Sequence, residues 1–160
     1  MWDEIYDPMT AEEIKDEIDF LISKDKDIQY FYGKLKVPIK IQDYGNGIRA
    51  LYHVKNKEIW ISPTKIAPGS LKEAFLHECI HSYDHNVNGI DLSSKKGLAK
   101  SEIHAMKLCE CRNAWFKKRC TFKKAVQAVS LSIGSESEAK DLVSSQFEES
   151  YYENILNDPY

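Results

Sequence analysis

Ser70-Leu71-Lys72-Glu73-Ala74-Phe75-Leu76-His77-Glu78-Cys79-Ile80-His81 is the stretch on which the reading of this chain turns. Ser70 and Glu73 stand in the S/T-x-x-E order of a capping box, and Leu71, Ala74, Phe75 and Ile80 recur at helical intervals. The spacing predicts a helix that carries His77-Glu78-Cys79-Ile80-His81 well inside it. Residues four apart on a helix stand one above the other, about 6 Å apart along the axis, so both imidazoles can reach one ion. Glu78 is offset from that stripe and is placed to take a proton from an attacking water as general base. With five histidines in 160 residues, such a motif arises by chance on the order of once in a hundred chains, so its surroundings must carry the argument. The plain alternative is two histidines on an ordinary helix surface.

A catalytic zinc takes neutral imidazole nitrogens, a third protein ligand and one open position, and one such ion is expected here. Asp84 shares the stripe of His77 and His81 but lies about 10 Å along the axis from His77, too far for a straight helix to put all three on one ion. It is better placed to accept an imidazole N–H or to bind the following segment. The position six residues after His81 is Val87, which excludes a metzincin-type ligand. His85, Asp91, Glu102 and His104 remain. Glu102 is favoured because it begins a second helix that can cross the first, with the small Ala105 one turn on; an exposed carboxylate in a first helical turn is the bland reading. Tyr83, His85 and His104 are candidate oxyanion stabilisers among which the residues do not choose.

Toward the N-terminus, Thr10-Ala11-Glu12-Glu13 is another capping box and opens a helix over about 11–23. Ile28 to Tyr32 is a further aromatic-rich piece that stops at Gly33, and its Tyr30, Phe31 and Tyr32 read as core rather than as a substrate platform. Val37 to Gln42, Ile48 to Val54 and Glu58 to Ser62 have strand character, and their short polar connections predict an antiparallel meander. A substrate peptide is expected to lie extended along Glu58 to Ser62. Pro63 and Pro68 end the sheet. Helical spacing resumes from Leu98 to Trp115, and segments 122–132 and 136–155 read as helices, the last opened by Ser135-Glu136-Ser137-Glu138. The fold expected is α+β and zincin-like: one domain over 1–160, with an N-terminal helical segment (1–33), a small antiparallel sheet (35–62) and a helical part carrying the site (70–160).

A formal charge of −3 offers no overall basicity for a nucleic-acid backbone, so nucleic acid is not an expected partner. No apolar run approaches the roughly 18–20 residues that cross a bilayer, so membrane contact is expected to be peripheral. The acidic opening Met1 to Asp7 argues against a cleaved presequence. Lys117, Lys118, Arg119, Lys123 and Lys124 form a basic cluster that reads as a solvated helix face before it reads as a lipid contact. Of the four cysteines, Cys79 lies inside the motif; Cys109, Cys111 and Cys120 fit neither a zinc ribbon nor a CxxC pair and are expected to be reduced thiols, with a disulfide from Cys111 or Cys109 to Cys120 as the alternative.

Residues 70–157 resemble the mitochondrial inner-membrane metalloprotease family that processes and helps assemble the ATP synthase, whose animal members are also described as Ku-binding. Its H-E-L-I-H-x-x-D is similar to His77-Glu78-Cys79-Ile80-His81 with Asp84, and its S-E-[IV]-R-A-A to Ser101-Glu102-Ile103-His104-Ala105-Met106. Its C-x-[KR]-x-[KRA] segment resembles Cys120 to Lys124, and its closing pattern Ala139 to Pro159. The family usually carries a cysteine pair before the helix and another cysteine near the C-terminus; Gln42 to Tyr52 and Glu149-Ser150-Tyr151 hold none. The resemblance implies a zinc endopeptidase at the intermembrane-space face of the inner membrane that cleaves a membrane-subunit precursor and assists assembly. The competing expectation is a non-catalytic assembly chaperone or binding module that retains a structural zinc site.

Overall fold

The computed structural model describes residues 8–45, 47–67 and 69–155 as an α+β protein with a small three-stranded sheet and a helical C-terminal half. The acidic opening residues, Pro68 and Asn157-Asp158-Pro159 lie outside the described residues. Two compact units are present, 1–83 and 84–160. The helix that carries the histidine motif runs from one into the other.

In the first unit, α1 (Ala11–Lys24) begins as its sequence predicts. Thr10 accepts from the Glu13 N–H and the Glu13 carboxylate accepts from the Thr10 N–H, so both halves of the capping box form. Ile14, Ile18 and Leu21 make its buried stripe. Asp25 then closes α1 and caps α2 (Lys26–Gly33), accepting from the N–H groups of Asp27 and Ile28. The same carboxylate meets Lys72 Nζ at 2.7 Å. Tyr30 and Phe31 are buried and pack edge-on against one another, as core residues.

The sheet departs from the expected meander. Strand β3 (Glu58–Ile61) is central, with β2 (Ala50–His53) antiparallel on one side and β1 (Ile39–Ile41) parallel on the other. The residues just after β1 are the reason. Gln42 N–H bonds to the Ile61 carbonyl, Tyr44 N–H to Ser62 Oγ, and Asp43 accepts from the N–H and hydroxyl of Thr64. The chain thus continues alongside β3 beyond its end before turning back, and only β2–β3 is a hairpin. Ile59 and Ile61 are fully buried as their alternation predicts, while Glu58 and Ser62 are buried as well. Glu58 is met by Lys40, Asn56 and Trp60, an arrangement that satisfies its carboxylate on the sheet face. With both sides paired, β3 has no edge for a peptide, and the expectation that substrate lies along Glu58 to Ser62 is overturned.

A short 3-10 helix (Pro63–Lys65) leads toward α3 (Leu71–Asn86). Ser70 uses its hydroxyl to donate to the Ala67 carbonyl at 2.7 Å. In the second unit α4 (Lys95–Leu108), α5 (Lys117–Ile133) and α6 (Glu136–Tyr152) pack around Ala99, Ile103, Ala125, Val129, Ala139, Val143 and Phe147. Three of those seven side chains are alanines, one from each helix, which lets the backbones approach closely. Helix α4 starts earlier and stops earlier than its periodicity predicts. Ser94 caps it through the Gly97 N–H, and a Cβ on Gly97 would sit 2.0 Å from the Asp91 carbonyl oxygen, so no larger residue fits there without backbone movement. At its other end the chain leaves the helix after Leu108, and Trp115 stands outside it in solvent. No described helix is long and apolar enough to cross a membrane.

Cys111 and Cys120 form a disulfide, which corrects the reduced-thiol expectation for these two; Cys79 and Cys109 are free thiols. Closing a loop of this size removes chain entropy worth ~2.5–3 kcal/mol from the unfolded state. Cys120→Ser is therefore expected to lower unfolding free energy in urea by about that amount with the slope nearly unchanged. A second expectation concerns Asp25. Burial pushes its carboxyl up, but Lys72 and the Ile28 and Asp27 N–H groups outweigh this and hold it below the usual value of 3.8. A depressed carboxyl stabilises the fold fully above its unfolded value and loses that contribution as pH falls through the folded one. Asp25→Ala should cost ~1 kcal/mol near neutrality, and the gap between variant and wild type in thermal melts should close in acid.

Candidate metal centre and active site

Helix α3 is buried almost all round. Leu71, Ala74, Phe75, Leu76, Cys79, Ile80 and Tyr83 are core, and Glu78, His81, Ser82 and Asp84 are buried polar residues among them. A helix so placed must satisfy each polar side chain within the protein. His77 and His81 stand one turn apart as the spacing requires, their ring centroids 4.7 Å apart and nearly perpendicular. Glu78 points to the sheet, where its Oε2 accepts the Tyr52 N–H at 3.2 Å. That amide faces away from β3, because the Arg49–Ser62 bond sets the alternation of the β2–β3 ladder. The outer edge of β2 therefore abuts Glu78.

Cys79 is fully enclosed. Burial, reinforced by the charge of Glu78, pushes its thiol well above the ordinary value, and it packs as a small apolar residue in the core.

Among the described residues, one set of side chains converges with metal-binding geometry. His77, His81 and Glu102 each offer one ligand atom, and these atoms all lie within 4.8 Å of one another. Glu102 is buried on α4, and Ala105 one turn on is fully buried. Two imidazoles and a carboxylate suit a borderline-soft divalent ion, and three protein donors leave one position open.

The other sequence candidates have different partners. Asp84, with no exposed surface, accepts from Asn88 Nδ2, Ser101 Oγ and His104 Nδ1, each at 2.8 Å. The imidazole it contacts is thus His104. The other ring nitrogen of His104 lies 3.0 Å from Glu153 Oε2, so both nitrogens face carboxylate oxygens. Asp91 accepts from the N–H and hydroxyl of Ser93 in the turn before α4, bonds that hold its carboxyl below the ordinary value. His85 is half-buried with Asp91 in its electrostatic surroundings. Tyr83 has its hydroxyl 3.3 Å from that of Tyr30 and its ring against Tyr30 and Phe31. Sequence reasoning missed Tyr52, Ser101 and Glu153. The first acts through its main chain and carries no sequence signal; Ser101 adjoins Glu102 and could have been found as a polar residue on the buried face of α4.

His77, His81 and Glu102 could hold a single metal ion, and the buried carboxylate of Glu78 follows His77 on the same helix. The chain belongs to the peptidase M76 family, whose model matches residues 12–155. Membership brings a peptidase role and a polypeptide substrate. No curated protein and no solved structure matches the chain.

Glu102→Ala should weaken binding of Zn2+ by at least tenfold in competition with a chromophoric chelator. Asp84→Ala removes a carboxylate that touches none of the three donors but holds Ser101 and His104 on either side of Glu102; it should weaken binding by no more than about tenfold and should also lower stability.

Proposed function

We propose that this chain is a zinc-dependent endopeptidase in which His77, His81 and Glu102 hold the ion and Glu78 is the general base. The observation that carries the reading is the convergence of three donors, the half-buried His77 and buried His81 of α3 and the buried Glu102 of α4. The ion, when bound, supplies Lewis acidity to a peptide carbonyl. Glu78 takes the proton of the attacking water and returns it to the leaving amine. Its carboxylate is already oriented by the Tyr52 amide, so little reorganisation is needed when the proton moves. An extended peptide would run beside Glu78 along β2, which is an outer strand of the sheet, beyond the Tyr52 amide that Glu78 already holds.

The resemblance of Ser101 to Met106 and of Cys120 to Lys124 to the ATP-synthase-processing family supports a finer reading: cleavage of a membrane-subunit precursor at the intermembrane-space face of the mitochondrial inner membrane, together with help in assembly. The Cys111–Cys120 bond is compatible with an oxidising compartment. The alternative, an assembly chaperone with a structural zinc, predicts that Glu78 is dispensable.

Glu78→Gln separates the two. It should keep stoichiometric zinc and lose about 10²–10⁴-fold or more in turnover of a precursor peptide. Undiminished cleavage in that variant would overturn the peptidase assignment. Assembly of the partner complex restored by Glu78→Gln, with precursor left uncut, would show two separable roles.

A further inference from the structure

The loop tied off by the Cys111–Cys120 disulfide carries Trp115 and Phe116 side by side at the surface. Trp115 is 97% exposed and Phe116 73%. Water-facing aromatic pairs are unfavourable unless something covers them. They form a ridge between two open grooves of about 570 Å³ each. One groove is walled by Arg119, Lys123 and Lys124, the other by Lys117, Lys118 and Phe122. Five cations from the first two turns of α5 thus ring two protruding aromatic side chains, on a chain whose formal charge is −3.

The acidic groups that face this surface do not cancel it. Glu148 on α6 pairs with Lys118 at 3.1 Å, and the Tyr152 hydroxyl also accepts from that lysine. Lys123 and Lys124 form no ion pair among the described residues, and both are exposed.

We propose that this face docks on an anionic lipid bilayer, with Trp115 and Phe116 entering the headgroup layer and Lys117, Arg119, Lys123 and Lys124 meeting lipid phosphates. The inference deepens the proposed placement at a membrane face and is independent of the peptidase chemistry. Two features favour a bilayer over a protein groove. A tryptophan that protrudes from a loop needs a complementary pocket in a rigid partner, whereas a fluid interface accepts it wherever it lands. Amphipathic rings settle at headgroup level while lysine and arginine stems reach to the phosphates. The disulfide clamps the loop on both sides of the ridge, so the aromatic pair is presented with part of its ordering entropy already spent.

Each cation near an anionic surface is expected to contribute about fivefold in binding. The test is co-sedimentation of the full chain with phosphatidylcholine vesicles that contain or lack phosphatidylglycerol, at low and high salt. The chain should bind the anionic vesicles and release them as salt rises. Lys123→Glu with Lys124→Glu should weaken binding by more than about 25-fold, and Trp115→Ser with Phe116→Ser by at least tenfold. Circular dichroism and zinc stoichiometry of both variants should match wild type, since neither pair belongs to the core or the metal set. Equal binding to neutral vesicles, or binding indifferent to both double variants, would overturn the proposal. So would absence of vesicle binding with residue-dependent capture of polyglutamate, which would reassign the face to an acidic polypeptide. Glu78→Gln run in parallel keeps the two readings apart: it should lose cleavage and keep vesicle binding.

Discussion

A carboxylate taken out of water must be met by donors, and α3 buries two of them, Glu78 and Asp84. Each is satisfied by a different neighbour. Glu78 draws on the β2 backbone, and Asp84 draws on Asn88 and on Ser101 and His104 of α4. The cost of leaving either acid unpaired, about 1–3 kcal/mol or more for a charged group, sets a condition on where those donors can lie. The edge of β2 is thereby held at the first acid, and the buried face of α4 at the second.

That condition explains the polar residues on either side of Glu102. Ser101 and His104 flank Glu102 on α4, and both are engaged by Asp84. His104 in turn reaches Glu153 just beyond α6. Ala99 and Ala105 are fully buried on the same helix, and Gly97 at its start has no room for a Cβ. Small side chains and short hydrogen bonds fix the helix axis closely, as a metal ligand borne on it would require.

Much of this is legible in the residues. The helix over the histidine motif, the cap at Thr10, the stop at Gly33 and the three strand segments follow from local periodicity and capping chemistry, which act over a few residues. Glu102 lies in the middle of α4 and not at the helix opening that the spacing predicts, because Ser94 caps the helix two turns earlier; Ala105 one turn on is buried as expected, and the Glu102 ligand atom lies within 4.8 Å of those of His77 and His81. Strand order is not legible, because the alternation of Ile59 and Ile61 is the same whether β3 lies at an edge or in the centre. The bonds of Gln42, Asp43 and Tyr44 to β3 and the residues after it decide that, and they are long-range. The end of α4 escapes periodicity for a related reason: Trp115 continues the apolar spacing yet faces solvent. The Cys111–Cys120 pairing needs a loop geometry that spacing alone leaves open.

The donor that meets Glu78 has one further consequence. It belongs to the main chain at position 52, so it is shielded from ordinary genetic change. Exchanging the tyrosine ring alters how the strand fills its surroundings, yet every amino acid except proline still presents the same amide. The acid at the heart of the motif therefore depends on a neighbour whose identity can drift through evolution while its hydrogen-bonding service persists, and no scan of side chains would detect it.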